Sequence, residues 1–141
     1  MQKITIYTDG GARGNPGPAG IGAVISDADG HTIKELSAYI GEQTNNFAEY
    51  EALIRAIEEA KNVFGEKLRE MSIEVYMDSE LVVRQLGGLY KVKEPGLKAQ
   101  FARMAHLRLE DAPNMIFAHV RREKNKKADE LVNLAIDAAG H

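Results

Sequence analysis

The sequence predicts an α/β domain: a mixed five-stranded sheet, its first three strands antiparallel, flanked by helices in the order βββαβααβα. Three observations predict it. The chain begins with three short strand-like runs joined by tight connections. The later strand-like runs alternate with helical patterns, which calls for helices packed on the sheet. The first and fourth runs both stop at an aspartate, Asp9 and Asp78.

Ile4-Thr5-Ile6-Tyr7-Thr8 alternates apolar and polar and reads as a strand ended by Asp9. Gly10 to Gly20 holds five glycines and two prolines in eleven residues, which predicts a loop rather than a strand or helix interior. Ile21 to Ile25 is the second strand, Asp27-Ala28-Asp29-Gly30 a turn, and Ile33 to Ile40 the third strand. Thr44-Asn45-Asn46 supplies N-cap chemistry for a helix whose Tyr50, Leu53, Ile54 and Ile57 form one apolar face, with Gly65 just past its end. Ser72 to Met77 alternates again and stops at Asp78. Glu80 to Leu86 reads as a short helix closed by Gly87-Gly88. Pro95 opens a helix with Leu97, Phe101, Met104 and Leu107 apolar, and Met115 to Val120 is the fifth strand. In the last helix Leu131, Leu134, Ala135 and Ala138 share a face. No repeat, low-complexity tract or boundary interrupts the chain, so residues 1–141 read as one domain.

Composition narrows the chemistry. A chain of 141 residues, 44% hydrophobic and 28% charged, is an ordinary globular domain. With no cysteine, disulfides, thiolate zinc sites and cysteine nucleophiles are excluded. No apolar run is long enough to span a membrane, and the first residues lack a signal-peptide core, so the chain reads as cytoplasmic and, in association state, monomeric. A net charge of −3 argues against a broadly basic coat, so nucleic-acid binding would rest on local patches and metal ions. Gly20-Ile21-Gly22 is not a full dinucleotide fingerprint, and no Walker sequence is present.

Four acids stand at element ends. Asp9 and Asp78 end strands. If those strands are parallel neighbours, the two carboxylates meet at the edge where open α/β sheets bind ligands. Glu49 lies early in the first helix, about 90° from the centre of its apolar stripe. Asp129 lies in the first turn of the last helix, nearly opposite its predicted stripe. Helix N-terminal charge placement alone explains either of the latter two. It does not explain four acids on elements that share one sheet edge. Clustered carboxylates repel, and their pKa values rise unless cations neutralise them. All-oxygen ligands suit hard ions, Mg²⁺ or Mn²⁺. Two such ions about 4 Å apart can activate water and stabilise a leaving oxygen in phosphodiester cleavage.

Thr8 to Gly20 (TDGGARGNPGPAG), Thr44 to Leu53 (TNNFAEYEAL), Met77 to Leu86 (MDSELVVRQL) and His119 to Ala135 (HVRREKNKKADELVNLA) together resemble type 1 ribonuclease H, in that family's order and over nearly the whole chain. The resemblance implies a ribonuclease H-like fold and a single catalytic domain over residues 1–141. It implies endonucleolytic hydrolysis of the RNA strand of RNA–DNA hybrids, with two Mg²⁺ ions and 5′-phosphate and 3′-hydroxyl ends. It carries the family's catalytic, metal-binding carboxylates onto Asp9, Glu49, Asp78 and Asp129. Gly11, Ala12, Arg13, Gly14 and Asn15 match the loop that approaches the RNA minor groove, and Asn45 another substrate contact. A helix cap explains Asn45 equally. Thr44 and Ser79 match positions near a DNA-strand phosphate.

Departures from the family pattern are equally legible. Val120 to Ala128 contains no histidine, where many members carry a catalytic one. His119 falls in the predicted strand, which points to a packed or hydrogen-bonded residue. The substrate-gripping basic handle is missing: Gly87 to Lys98 is short, with Lys91, Lys93 and Lys98 its only cations. Glu80 stands where some members have Gln, an acceptor for a donor. Of these, Glu80, Lys91 and Lys93 remain expected substrate contacts. The window Arg121 to Lys127 holds five cations and one acid. A solvated face accounts for such a run, and so does phosphate guidance beside Asp129, with Lys124 and Asn125 the expected contacts. Two other functions fit the same motifs: a hybrid-binding module without activity, and a nuclease of this fold acting on double-stranded RNA or a DNA junction.

Overall fold

A computed structural model describes residues 2–88 and 91–141. Leu89 and Tyr90, inside the short interval that replaces the handle, lie outside the described residues. Strands β1 (Lys3–Ala12), β2 (Gly17–Asp27) and β3 (Thr32–Gln43) are followed by helix α1 (Asn45–Phe64) and a 3-10 turn, Gly65–Glu70. Then come β4 (Ser72–Met77), α2 (Glu80–Leu86), α3 (Pro95–Glu110), β5 (Met115–His119), a second 3-10 turn, Arg122–Lys124, and α4 (Lys126–Ala138). The predicted order holds.

The sheet order is β3-β2-β1-β4-β5. β1–β2 and β2–β3 are antiparallel, and β1–β4 and β4–β5 parallel. Alternation decides which residues face which layer. Ile4, Ile6, Ile73 and Val75 point to one side, where they pack with Tyr50, Leu53, Ile54 and Ile57 of α1. α3 closes that layer with Leu97 and Met104. α4 covers the other side, over β2 and β3.

The first strands are longer than the sequence predicts, and the reason is the glycines. Gly10, Gly11 and Ala12 continue β1, paired with Ile21, Gly20 and Ala19 of β2, so Asp9 lies inside the strand. Asp9 does lie just past the parallel pairing with β4, which ends at Thr8 and Met77. The glycines are there because helices come too close for a side chain. A Cβ on Gly10 would sit 2.2 Å from the Ala48 carbonyl oxygen, and one on Gly22 2.3 Å from that of Ala128.

α4 is rolled relative to its predicted face. Ala128, Leu131, Val132, Ala135 and Ile136 are buried, while Leu134 is 58% exposed and Ala138 faces solvent. The glycine-lined surface of β2 accepts the small and branched residues, so the face lies one step round from the predicted leucines. His119 also departs from expectation. It ends β5 in register with Met77, is exposed, and its side chain makes no hydrogen bond or ion pair among the described residues.

Candidate active site

The parallel pairing of β1 and β4 sets Asp9 and Asp78 side by side at the C-terminal sheet edge. Two glycines bring in the other acids. The missing Cβ of Gly10 lets the Ala48 carbonyl rest on β1, and the next residue is Glu49. Gly22 is the register partner of Asp9; its missing Cβ admits the Ala128 carbonyl, and the next residue is Asp129. On the observed face of α4, Asp129 is about 90° from the centre of the buried stripe, not opposite it. It therefore flanks the sheet contact as Glu49 does. All four carboxylates line one cleft of about 290 Å³, with Arg13, Asn45, Arg122 and Asn133.

The electrostatics match the crowding. Burial pushes the Asp9 pKa up to about 8, reinforced by the charges of Asp78, Asp129 and Glu49, against one backbone hydrogen bond from Gly10 (3.0 Å). Burial raises Glu49 to about 7, with Asp78 adding to the rise; a hydrogen bond from Ser79 and the Arg122 charge oppose it. Glu49 Oε2 is buried without a hydrogen-bond partner. An orphaned carboxylate oxygen, an all-oxygen donor set and mutual repulsion together fit a hard divalent cation.

Around the cleft, Thr44 caps α1: its Oγ1 accepts from Phe47 N at 3.2 Å. Asn45 is not the cap. Its Oδ1 accepts from Ala12 N at 2.8 Å and its N–H donates to Asn15 Oδ1 at 3.0 Å, lacing the β1–β2 turn to the helix. Gly14, at φ 102°, makes that turn possible. The Arg13 guanidinium reaches across to α4, donating to Asn133 Oδ1 (3.1 Å) and the His141 carbonyl (2.8 Å) and pairing with Asp137 (2.7 Å). Ser79 caps α2 through Val82 N at 3.3 Å. Glu80 is exposed and paired with Arg84. Lys91 lines a separate groove with Val92 and Phe101, and Lys93 is exposed. Neither reaches the carboxylate cleft. Lys124 is exposed and lines a separate groove with Tyr7, while Asn125 is buried and donates from Nδ2 to the Thr8 carbonyl at 2.9 Å.

A second group that could hold a metal, Asp27, Asp29 and His31, lies at the β2–β3 turn. Asp27 pairs with Ile4, so the group is at the opposite end of β1 from Asp9. The turn itself explains it: Asp27 Oδ1 accepts from Asp29 N and His31 N, each at 2.9 Å.

A family model described as reverse transcriptase-like matches residues 7–135. The solved structure of LC11-RNase H1, isolated from compost by a metagenomic approach, is 65% identical, with a TM-score of 0.94 over 100% of both chains. The chain belongs to the type 1 ribonuclease H family. A second structure, LC11-RNase H1 in complex with RNA/DNA hybrid, is 64% identical with a TM-score of 0.94, covering 98% of this chain and 99% of that one. Ribonuclease HI of Halobacterium salinarum is 41% identical over 137 residues, 97% of this chain and 66% of its own length. A bifunctional protein of Mycobacterium tuberculosis is 43% identical over 138 residues, 97% of this chain. The chain spans only 36% of that relative's length.

Within this ribonuclease H fold, Arg122, Asn133 and the two docking glycines escape a reading of the sequence. Arg122 hides in a run of cations. Asn133 had a weak signal, one helical turn after Asp129, where its Nδ2 donates to the Asp129 carbonyl at 3.1 Å. Gly22 interrupts an otherwise apolar strand, the usual mark of a close backbone approach.

Proposed function

We propose that this chain is a single catalytic domain that cleaves the RNA strand of RNA–DNA hybrids endonucleolytically, leaving 5′-phosphate and 3′-hydroxyl ends. The observation that carries the proposal is the convergence of Asp9, Glu49, Asp78 and Asp129 on one cleft, from two strands and two helices. The complex of LC11-RNase H1 with RNA/DNA hybrid supports the substrate class.

The four carboxylates would hold two Mg²⁺ ions, with Mn²⁺ as a substitute. Bound there, the ions supply charge neutralisation, a lowered pKa for water and stabilisation of the leaving oxygen. The chain's own groups supply position. Arg122, beside Glu49, offers a cation at the rim for the incoming phosphate. Asn45 Oδ1 is held by Ala12 N, and its Nδ2, without a partner among the described residues, is free to donate to a minor-groove acceptor or a 2′-hydroxyl. Asn133, tied to Arg13 and to the Asp129 carbonyl, fixes the α4 side of the cleft. Attack of water on phosphorus breaks the bond to O3′, and solvent protonates the departing oxygen.

The deciding experiment offers matched hybrid, RNA duplex and DNA duplex, each with Mg²⁺ or Mn²⁺ and with the ions chelated. Cleavage of the hybrid's RNA strand alone, abolished by chelation, is the expected result. Equal cleavage of the RNA duplex would overturn the substrate, and hybrid binding without cleavage would overturn the enzyme.

A further inference from the structure

The sheet face that carries Asp9 holds a second groove, of about 250 Å³, beneath the start of α4. Tyr7, Val24 and Ser26 form its floor, and Lys124, Asn125 and Lys127 its upper wall. The Tyr7 ring stacks on Tyr76 with centroids 5.1 Å apart. Tyr76 is its neighbour on the β4 side and Val24 its neighbour on the β2 side. One face of the ring is therefore taken, and the rest of the half-buried side chain lines the groove beside Val24. Lys124 has no ion pair among the described residues, while Lys127 reaches only the exposed Glu35 and Glu130, at 3.6 and 3.8 Å. Asp27, next to Ser26, is occupied by its own turn.

Two further facts point to a ligand. Asn125 is 1% exposed, and although its Nδ2 holds the Thr8 carbonyl, its Oδ1 is buried with no partner. The groove also lies close to the carboxylate cleft, across the Asn125–Thr8 hydrogen bond that separates the two. Tyr7 precedes Asp9 by two residues on the same sheet face, about 7 Å along the strand. Asn125 starts the turn that carries Asp129, whose N–H donates to the Asn125 carbonyl at 3.1 Å.

We infer that this groove receives one unpaired nucleotide of a strand running out of the carboxylate cleft, its base on Tyr7 and its phosphate held by Lys124 and Lys127. The inference rests on the function proposed above and names where the substrate goes beyond the duplex. An aromatic face accepts any base, and a nearby cation pair tracks the backbone, the usual combination for single-stranded nucleic acid. The volume is below that of a pocket for a whole cofactor-sized ligand and suits one heterocycle. A free mononucleotide has the same chemistry, so the test must separate the two sources.

Dissociation constants are measured without divalent ions, so that no cleavage runs. The probes are a blunt hybrid, the same hybrid with a short single-stranded 5′ or 3′ extension on either strand, a single strand alone, and AMP. At least one extension is expected to tighten binding about five-fold or more, within the range of base stacking on an aromatic side chain. Tyr7→Leu should return the ratio of extended to blunt affinity to about one. Lys124→Gln, an exposed change that leaves the sheet untouched, should lower the ratio part of the way. Thermal unfolding of each variant reports its fold. No gain from any extension, a gain that survives Tyr7→Leu, or AMP binding as tight as the gain itself would overturn the inference. Failure to bind the blunt hybrid would strike the proposed function instead, and the single strand would still report on the groove.

Discussion

Asp9 carries the largest electrostatic burden in the chain, and its chemistry sets two expectations. Replacing Asp9 with Asn keeps its volume and removes one charge from a crowded cluster. Cleavage should fall by at least about 100-fold, because losing a metal ligand costs no less than disturbing its outer support. Metal-free stability should move the other way. Folded pKa values of about 8 for Asp9 and about 7 for Glu49 exceed the ordinary carboxylate range, so the folded state keeps protons that the unfolded chain has released. Their stabilising contribution is complete below the unfolded pKa of about 4 and is lost as pH rises through about 7 and about 8. The unfolding temperature of the metal-free protein should therefore drop between about pH 4 and 8. Asp9→Asn should flatten that drop, and a curve parallel to wild type would refute the cluster's role. His119 makes the opposite case. It is exposed at the end of β5, so His119→Ala should cost less than about 0.5 kcal/mol of stability and leave cleavage within a few-fold of wild type. A large loss of cleavage at unchanged stability would show instead that it takes part. Each of the four acids was legible because it stands at or near an element end. Arg122 was not, because only the folded cleft distinguishes it from its cationic neighbours.

At the scale of elements, the docking of two helices onto two glycines is the step that builds the cleft. Gly10→Ala would drive a Cβ into the Ala48 carbonyl, and Gly22→Ala into that of Ala128. Backbone atoms cannot swing aside as a side-chain tip can, so the helix must shift. Each change should cost about 1–3 kcal/mol or more, read as a lower unfolding temperature. Each should also cut cleavage beyond what instability explains, because the displaced carbonyl belongs to the residue before Glu49 or Asp129. Gly96 is the control: nothing lies within 4 Å of its would-be Cβ, at the start of α3. Gly96→Ala should be neutral or stabilise by up to about 1 kcal/mol. If Gly10→Ala and Gly96→Ala behaved alike, the docking account would fail. The same glycines explain where the sequence misleads. Local propensity reads Gly10 to Gly20 as a loop, yet much of it is strand, because the demand for glycine comes from helices remote in sequence. The α4 face is misread for a related reason. Leu134 and Ala138 complete a plausible stripe, but a glycine-floored surface selects Ala128, Val132 and Ile136, rolling the helix by roughly 80°.

The whole molecule is acidic, at −3, yet its proposed substrate is a polyanion. Attraction must then be local. The cations from Arg121 to Lys127 gather where β5 leads into α4, and Arg122 reaches the rim of the carboxylate cleft. Among the described residues no helix is long and apolar enough to cross a membrane. Phosphate contacts release condensed counterions, so hybrid affinity should fall linearly with the logarithm of salt concentration. Each lysine that touches a phosphate contributes about one unit to that slope. The three lysines Lys124, Lys126 and Lys127 would suggest a change of about three units on joint replacement by Gln. The ion pairs argue for less. Lys127 is shared with Glu35 and Glu130, whereas Lys124 and Lys126 have no ion pair among the described residues. The triple replacement should therefore lower the slope by about two units, and Lys127→Gln alone by well under one. Affinity titrations across salt concentration, run without divalent ions, measure both. An unchanged slope in the triple variant would make these three lysines a solvated face and leave the metal-free grip on the hybrid to groups such as Arg122 and Asn45.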